Sequence, residues 1–110
     1  MKVTASHHID ASEPDENGFY DYHYEYDIYE FSRDGRTYFA RDYVDEPDQA
    51  AFTSCLEGEE SRLLEAADLT HPLLVQAAHY LNAAGKTRLD RLSKTGYVPL
   101  KVASAQKDGL

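Results

Sequence analysis

Several residues of this sequence have side chains that bind metals elsewhere, and one group resembles a calcium loop in spacing. Glu13, Asp15, Asn17 and Gly18 match positions one, three, five and six of an EF-hand loop. Position twelve of such a loop needs a bidentate glutamate, and Tyr24 stands there instead. The mismatch at this ligand argues against a calcium site, and the sequence predicts no bound metal.

The histidines do not form a chelating set either. His7 and His8 are neighbours on a candidate strand, and adjacent strand residues point to opposite faces. His23 and Glu25 share a strand face and are the one pair placed to share a transition metal. Ordinary surface or rim histidines are the preferred interpretation.

Covalent catalysis has few candidates in this chain. Cys55 is the single cysteine, and it lies between Phe52 and Leu56 on an apolar stripe, which indicates a buried structural thiol. No G-x-S-x-G, HExxH or phosphate-binding glycine loop occurs in the sequence. We therefore predict that the protein is not an enzyme and needs no cofactor. Acid–base catalysis by two of its carboxylates remains open.

The stretch YDYHYEYDIYEF, residues 20–31, is the most distinctive part of the chain. Its tyrosines alternate with acids and histidine, and a period of two is typical of a strand. One interpretation is that the rings form the sheet side of a core. The other is that part of the ladder is exposed and contacts a partner, because tyrosine is enriched in interfaces. We expect the end from Tyr20 to Tyr24 to be the exposed one.

The charge of the chain limits its partners. The net charge is −9 and the calculated pI is about 4.8, so the surface repels phosphate. We therefore predict no nucleic-acid partner and no membrane partner. Residues 1–85 hold 5 Lys and Arg against 18 Asp and Glu, whereas residues 86–110 hold 6 against 2. An acidic face of this kind is either a solvated surface or a docking surface for a basic protein partner.

Acids and tyrosines together therefore predict a docking surface. The residues predicted to contact the partner are Tyr20, Asp21, Tyr22, Tyr24, Glu25, Asp45, Glu46 and Asp48. The most concrete version is an immunity or antitoxin-like inhibitor of a basic toxin or nuclease. The first alternative is a ligand-binding or regulatory domain with a tyrosine-lined pocket between sheet and helices. The second alternative is a carboxylate-dependent enzyme.

The elements expected to position these residues begin with strands at 2–9, 20–31 and 36–44. Asp34-Gly35 marks a hairpin between the last two. A three-residue loop, 33–35, is preferred to a two-residue turn because it places Asp27 opposite Arg41 instead of Asp42. An antiparallel meander of about three strands follows from these assignments.

The second half of the chain is predicted to be mainly helical. Ala51, Phe52, Cys55 and Leu56 have helical spacing before Gly58, and 59–69 also fits a short helix. Thr70-His71-Pro72 opens the clearest helix, with Thr70 as its cap, and Gly85 ends it. A last short helix is expected at 87–93. Residues 97–100 are predicted as an extended edge strand.

The predicted fold class is therefore α+β, with about three strands followed by three or so helices packed on the tyrosine face. The predicted domain is 1–102, and 103–110 is predicted to be a flexible tail. The N-terminal residues lack the apolar core of a signal peptide, and a cytoplasmic location is expected. The oligomeric state stays open between a monomer and a dimer that pairs edge strands.

Overall fold

A computed structural model describes residues 1–101 of the chain, so the predicted tail at 103–110 lies outside the described residues. The described part is mainly β, with a seven-stranded sheet and one α-helix, and the α+β prediction of about three strands and three helices is wrong. The strands are β1 (Lys2–Ala11), β2 (His23–Arg33), β3 (Arg36–Tyr43), β4 (Gln49–Glu57), β5 (Glu60–Arg62), β6 (Arg88–Ser93) and β7 (Gly96–Pro99). A 3-10 helix spans Ala66–Thr70, and α1 spans Pro72–Ala83.

The sheet has the strand order β1-β2-β3-β4-β6-β7, with β5 paired to β4 beside this path. All pairs are antiparallel except β4 and β6, which are parallel. A parallel pair needs a crossover connection, and the chain supplies it through β5, the 3-10 helix and α1. The helix thereby comes to lie on one face of the sheet.

The β2–β3 hairpin has a two-residue turn, so the predicted three-residue loop is wrong. Asp34 and Gly35 both have positive φ, at 53° and 81°. That conformation defines the type I′ turn, whose twist matches that of the flanking strands. Asp27 consequently lies opposite Asp42, and Arg41 lies opposite Ile28.

The repulsion expected between Asp27 and Asp42 is relieved by two cations from distant parts of the chain. The Asp27 carboxylate receives a hydrogen bond from His7 Nδ1 at 2.6 Å. The buried Asp42 carboxylate pairs with Lys86 Nζ at 2.7 Å. Each acid therefore has its own partner, and local charge was a poor guide to the register.

The helix predicted after residue 45 is wrong, because this segment forms β4. The register against β3 shifts between Phe39 and Ala40, which leaves Thr53 as an extra residue in a bulge. The bulge reverses the alternation, so the buried positions run Ala50, Phe52 and then Cys55. A spacing of two followed by three resembles helical periodicity, which explains the error.

The chain from 59 onwards also contains more strand than predicted. Residues 59–69 form β5 and the 3-10 helix instead of an α-helix. The helix predicted at 87–93 is wrong as well, because β6 pairs with β4 and β7 there. The extended segment predicted at 97–100 is confirmed as the edge strand β7.

Helix α1 confirms the one helix that the periodicity predicted strongly, although its cap differs. The cap is His71, whose Nδ1 accepts a hydrogen bond from Leu73 N at 3.1 Å. The predicted cap, Thr70, instead donates its hydroxyl to Ala67 O within the 3-10 helix. Within residues 1–101, neither helix is long and apolar enough to cross a membrane.

The core lies between α1 and the face of the sheet that carries Phe31, Tyr38 and Cys55. These three residues are directly opposite one another on β2, β3 and β4, and residues so placed share a face. Tyr26 and Tyr43 are opposite one another on the other face. The helix thus covers the face that does not carry the tyrosine ladder, and the predicted packing of helices on that ladder is wrong.

Candidate functional site

The tyrosine ladder belongs to an arm that extends past the rest of the sheet. The β1–β2 pairing continues to Ala11 opposite His23, whereas the last β2–β3 pair is Tyr26 opposite Tyr43. Residues 9–25, which are the ends of both strands and their connecting loop, are called the arm below. Val44 N still donates to Glu25 O, and beyond this bond no third strand within residues 1–101 lies beside the arm.

The aromatic side chains of the arm are exposed. Phe19 is 70% exposed, and the exposed aliphatic Ile9 lies on the same arm. Tyr20, Tyr22 and Tyr24 are 50%, 45% and 53% exposed. Their rings contact their neighbours, as in the stacked pair of Tyr22 and Tyr24 with centroids 6.0 Å apart. None of these rings belongs to the core cluster, so the interpretation of this end as core is wrong.

The loop of the arm is ordered by its own side chains. Asp15 Oδ1 accepts hydrogen bonds from the backbone of Asn17 at 2.8 Å and of Phe19 at 2.9 Å. Ser12 Oγ accepts one from the backbone of Asp21 at 2.8 Å. The acid–asparagine pattern that resembled a calcium loop therefore makes an Asx-type turn. Among residues 1–101, no group of three His, Cys, Asp or Glu side chains has metal-binding geometry.

Negative charge surrounds the exposed rings. Residues 3–32 contain eight acids and no lysine or arginine. Asp45 joins them, since it lines a shallow depression of about 200 Å³ together with Tyr24 and Glu25. Of the eight residues predicted to contact a partner, six are thus placed on or beside the arm. Glu46 and Asp48 lie farther along the β3–β4 connection, and Glu46 borders a different cavity.

His7 is a charged residue of this region whose role the sequence did not indicate. It lies opposite Asp27 in the β1–β2 pair, and its Nε2 contacts Glu25 Oε2 at 2.7 Å. Hydrogen bonds to Asp27 first, and to Glu25 next, raise the pKa of His7 above its usual 6.5. The correct strand register would have revealed this bridge. The protonated imidazole ties β1 to β2 at the base of the arm.

The bridge predicts a pH dependence of stability with a definite sign. Because the pKa of His7 is higher in the folded state, its contribution is complete below pH 6.5 and is lost as pH rises through the raised value. We expect His7→Gln to destabilise the protein at pH 5.5 and to have a smaller effect at pH 8.5. Urea unfolding of both proteins across this range measures the difference. In a Glu25→Gln/Asp27→Asn background the pH-dependent part should disappear, and an unchanged pH dependence there would contradict the bridge.

A second group of charges, centred on Asp68, has a structural role. Asp68 is almost fully buried and accepts hydrogen bonds from Arg62 Nη1 at 2.7 Å, Tyr38 Oη at 2.5 Å and Glu65 N at 2.6 Å. Burial alone would raise the pKa of Asp68, but these hydrogen bonds lower it to about 2. Arg36 Nη1 adds a contact at 3.3 Å. These contacts fasten the 3-10 helix to the sheet and occupy both carboxylate oxygens.

A cavity of about 320 Å³ opens on the sheet face opposite α1. Arg41, Arg88 and Tyr97 contribute to its walls. Asp90 also lines it, is only 6% exposed, and accepts a hydrogen bond from Gln49 Nε2 at 3.0 Å. The predicted tyrosine-lined pocket was placed between sheet and helices, so this cavity lies on the other side of the sheet.

The Cys55 thiol lies in the core, away from this cavity, and burial raises its pKa.

Comparisons with known proteins add no assignment to this geometry. No protein family model, curated protein or solved structure matches the chain significantly.

Proposed function

We propose that this chain is a small protein-binding module whose partner is a basic protein that docks on the arm. The observation that carries the proposal is the set of exposed rings at Phe19, Tyr20, Tyr22 and Tyr24, in a segment without lysine or arginine. Exposed aromatic residues grouped on one projecting element are unusual unless a partner covers them.

The rings and the acids have different roles in this proposal. Tyrosine supplies a large contact area at low cost in side-chain entropy, so Tyr22 and Tyr24 are the expected hot spots. The carboxylates of Asp21, Glu25 and Asp45 surround the rings and pair with lysine or arginine of the partner. Such charges mainly accelerate association and exclude acidic competitors, so binding weakens as salt rises.

An inhibitor of a basic toxin or nuclease is the most concrete form of this function. Carboxylates spaced along an arm and interleaved with aromatic rings can occupy a surface that otherwise binds phosphates and bases. Occupying that surface would block the toxin without any catalytic group in the inhibitor. The proposed compartment is the cytoplasm, which suits a chain whose Cys55 is a free, buried thiol.

Affinity capture along a salt gradient tests the proposal. Wild-type protein on a column should retain a basic protein from native lysate and release it as salt rises. Asp10→Asn/Asp21→Asn removes two charges from the arm and should release the same protein at lower salt. The matched control Glu59→Gln/Glu60→Gln removes two exposed charges elsewhere and should elute as wild type does. Equal elution of both variants, or no retained basic protein, would overturn the proposal.

Binding of a small ligand is a second candidate function, favoured by the environment of Asp90. Among the described residues no cation pairs with this buried carboxylate, although burying an unpaired charge is costly. With Arg41 and Arg88 in the same cavity, a ligand that carries both an ammonium and a carboxylate fits best. A compound that raises the melting temperature of wild type but not of Asp90→Asn would favour this function.

A further inference from the structure

In the part of the chain that the structure describes, β1 is an edge strand of the sheet with no neighbour on its outer side. It has ten residues, pairs with β2 along its whole length without a bulge, and contains no proline or glycine. Its ionic side chains, Lys2 and Asp10, are near its two ends, and only His7 between them contacts acids. The opposite edge, β7, has four residues and ends at Pro99. Natural edges are usually short, charged or interrupted in the way that β7 is.

The hydrogen-bonding pattern shows which backbone groups of β1 point outwards. Ser12 N donates to Tyr22 O, in continuation of the β1–β2 register. The backbone N–H and C=O groups of the even-numbered residues of β1 therefore face β2. On β2, Glu25 O accepts from Val44 N, so odd-numbered residues there face β3, in agreement. The N–H and C=O groups of Val3, Ala5, His7, Ile9 and Ala11 therefore point away from the sheet.

The surroundings of this edge select the chemistry of an added strand. The acids nearest to β1 on the neighbouring strand are Glu25, Asp27 and Glu30, and residues 3–32 contain no lysine or arginine. His7 contacts Glu25 and Asp27, but one imidazole balances at most one of these three charges. A strand beside β1 would place alternate side chains over the face that carries Glu25 and Asp27. A lysine or arginine side chain at those positions of the added strand is attracted by the two carboxylates. It can be accommodated without moving any core residue.

We propose that β1 binds an extended, lysine- or arginine-bearing segment of the partner protein as an additional strand of the sheet. This inference rests on the proposed function, since it specifies how the basic partner is held. The added strand hydrogen-bonds to the outward groups of Val3, Ala5, His7 and Ile9, and the exposed rings of the arm contact the rest of the partner. The main-chain hydrogen bonds then provide affinity, and the charges provide specificity for a basic segment.

A second copy of this chain fits the same edge less well. Pairing β1 with its own counterpart would bring two segments together that each carry eight acids without lysine or arginine. Like charges placed side by side oppose association, most strongly at low salt. A basic segment removes that repulsion, and we therefore assign the edge to the partner.

Proline substitution at Ala5 tests the edge directly. Ala5→Pro removes one outward N–H and spares every inward bond to β2, a position where strands tolerate proline. Ala5→Val keeps the N–H and is the matched control. The probe is the synthetic peptide amide Lys-Thr-Lys-Val-Lys-Thr-Lys-Val, measured by calorimetry. We expect Ala5→Pro to weaken binding about tenfold, with Ala5→Val close to wild type. Equal binding by all three proteins would overturn the inference.

Two further measurements cover the remaining outcomes. If circular dichroism shows that Ala5→Pro is unfolded, the same peptide with alternate backbone amides N-methylated is titrated into wild type. Loss of binding on methylation supports the edge, and retained binding overturns it. Sedimentation of wild type as a dimer, with Ala5→Pro a monomer and no peptide bound by either, assigns the edge to a second copy and also overturns it.

The proposed function and the binding of the partner at β1 can be tested separately. If the basic protein captured from lysate still binds Ala5→Pro but is lost by Tyr22→Ala/Tyr24→Ala, the edge inference fails while the proposed function stands. If wild type retains no basic protein at all, the proposed function fails, whatever the peptide does.

Discussion

Replacing Asp68 with asparagine is expected to lower the free energy of unfolding by about 3 kcal/mol or more. The asparagine keeps the shape of the side chain but removes the charge that faces Arg62 and Arg36. It also replaces one acceptor oxygen with an NH₂ donor, which cannot accept from Tyr38, Arg62 or the backbone. A buried pair that loses one member is costly because the remaining charge is left without compensation.

Urea unfolding at pH 7 measures this loss. Glu65→Gln is the matched control, because Glu65 is 70% exposed at its side chain and lies 3.9 Å from Arg62. An exposed pair contributes at most about 1 kcal/mol, so the control should remain near wild type. A loss below about 1 kcal/mol for Asp68→Asn would contradict the structural role of the cluster.

Measuring the stability of wild type and of Asp68→Asn as the pH is lowered gives an independent check of the role of Asp68. Its pKa is lowered from 3.8 to about 2, so the stability it contributes is complete above pH 3.8 and is lost as pH falls through about 2. Asp68→Asn has no such group, and its stability should fall less steeply in this window.

The second large effect is expected on binding and not on folding. Tyr22→Ala/Tyr24→Ala should weaken binding of the basic partner at least about 30-fold, because one hot-spot residue is worth about 2 kcal/mol or more. The melting temperature should change little, since both rings are exposed and neither belongs to the core cluster. Calorimetry or biolayer interferometry with the captured partner gives the affinity, and a thermal melt gives the stability.

A tyrosine of similar exposure elsewhere provides the control for this experiment. Tyr97 is 56% exposed on β7, beside the cavity and remote from the arm in strand order. Tyr97→Ala should bind as wild type does. If Tyr97→Ala loses binding and the arm variant keeps it, the partner contacts the cavity face. If the arm variant unfolds, its rings support the fold and the binding proposal loses its basis.

Local patterns predicted the elements whose signals do not depend on distant chain segments. The alternation around Tyr24 predicted a strand, the Asp34-Gly35 pair predicted a hairpin, and the apolar spacing from Leu74 to Leu81 predicted α1. In each case the residues that specify the structure are close to one another in the sequence. Tertiary packing had only to preserve what the sequence already favoured.

Non-local pairing determined the parts that the patterns missed. Strand β6 is parallel to β4, about 40 residues earlier, and nothing within 87–93 indicates that partner. The bulge at Thr53 changed the spacing of Phe52 and Cys55 into a helical one. Propensity is a weak guide wherever such pairing decides the structure.

The exposure of the tyrosines in the candidate site was predicted from the sequence, whereas their contact with a partner stays a prediction. Tyr20, Tyr22 and Tyr24 were expected to be exposed, and the structure leaves all three exposed. Tyr20 and Tyr22 lie in the loop before β2, and Tyr24 lies on β2 beyond its last pair with β3. The face that the helix covers could not be predicted, since either face of β2 carries aromatic residues. The bridge from His7 to Asp27 was missed because it depends on a register of residues 20 positions apart.

Site-specific photo-crosslinking is the most direct test of the claim that the arm binds a basic protein. A benzophenone amino acid replaces Tyr22 in one protein and Tyr97 in another, and each is irradiated in native lysate at low and high salt. We predict that the probe at position 22 crosslinks to a basic protein, less so at high salt, and that the probe at position 97 does not. Crosslinks from position 97 alone, or no crosslink from position 22, would contradict the account.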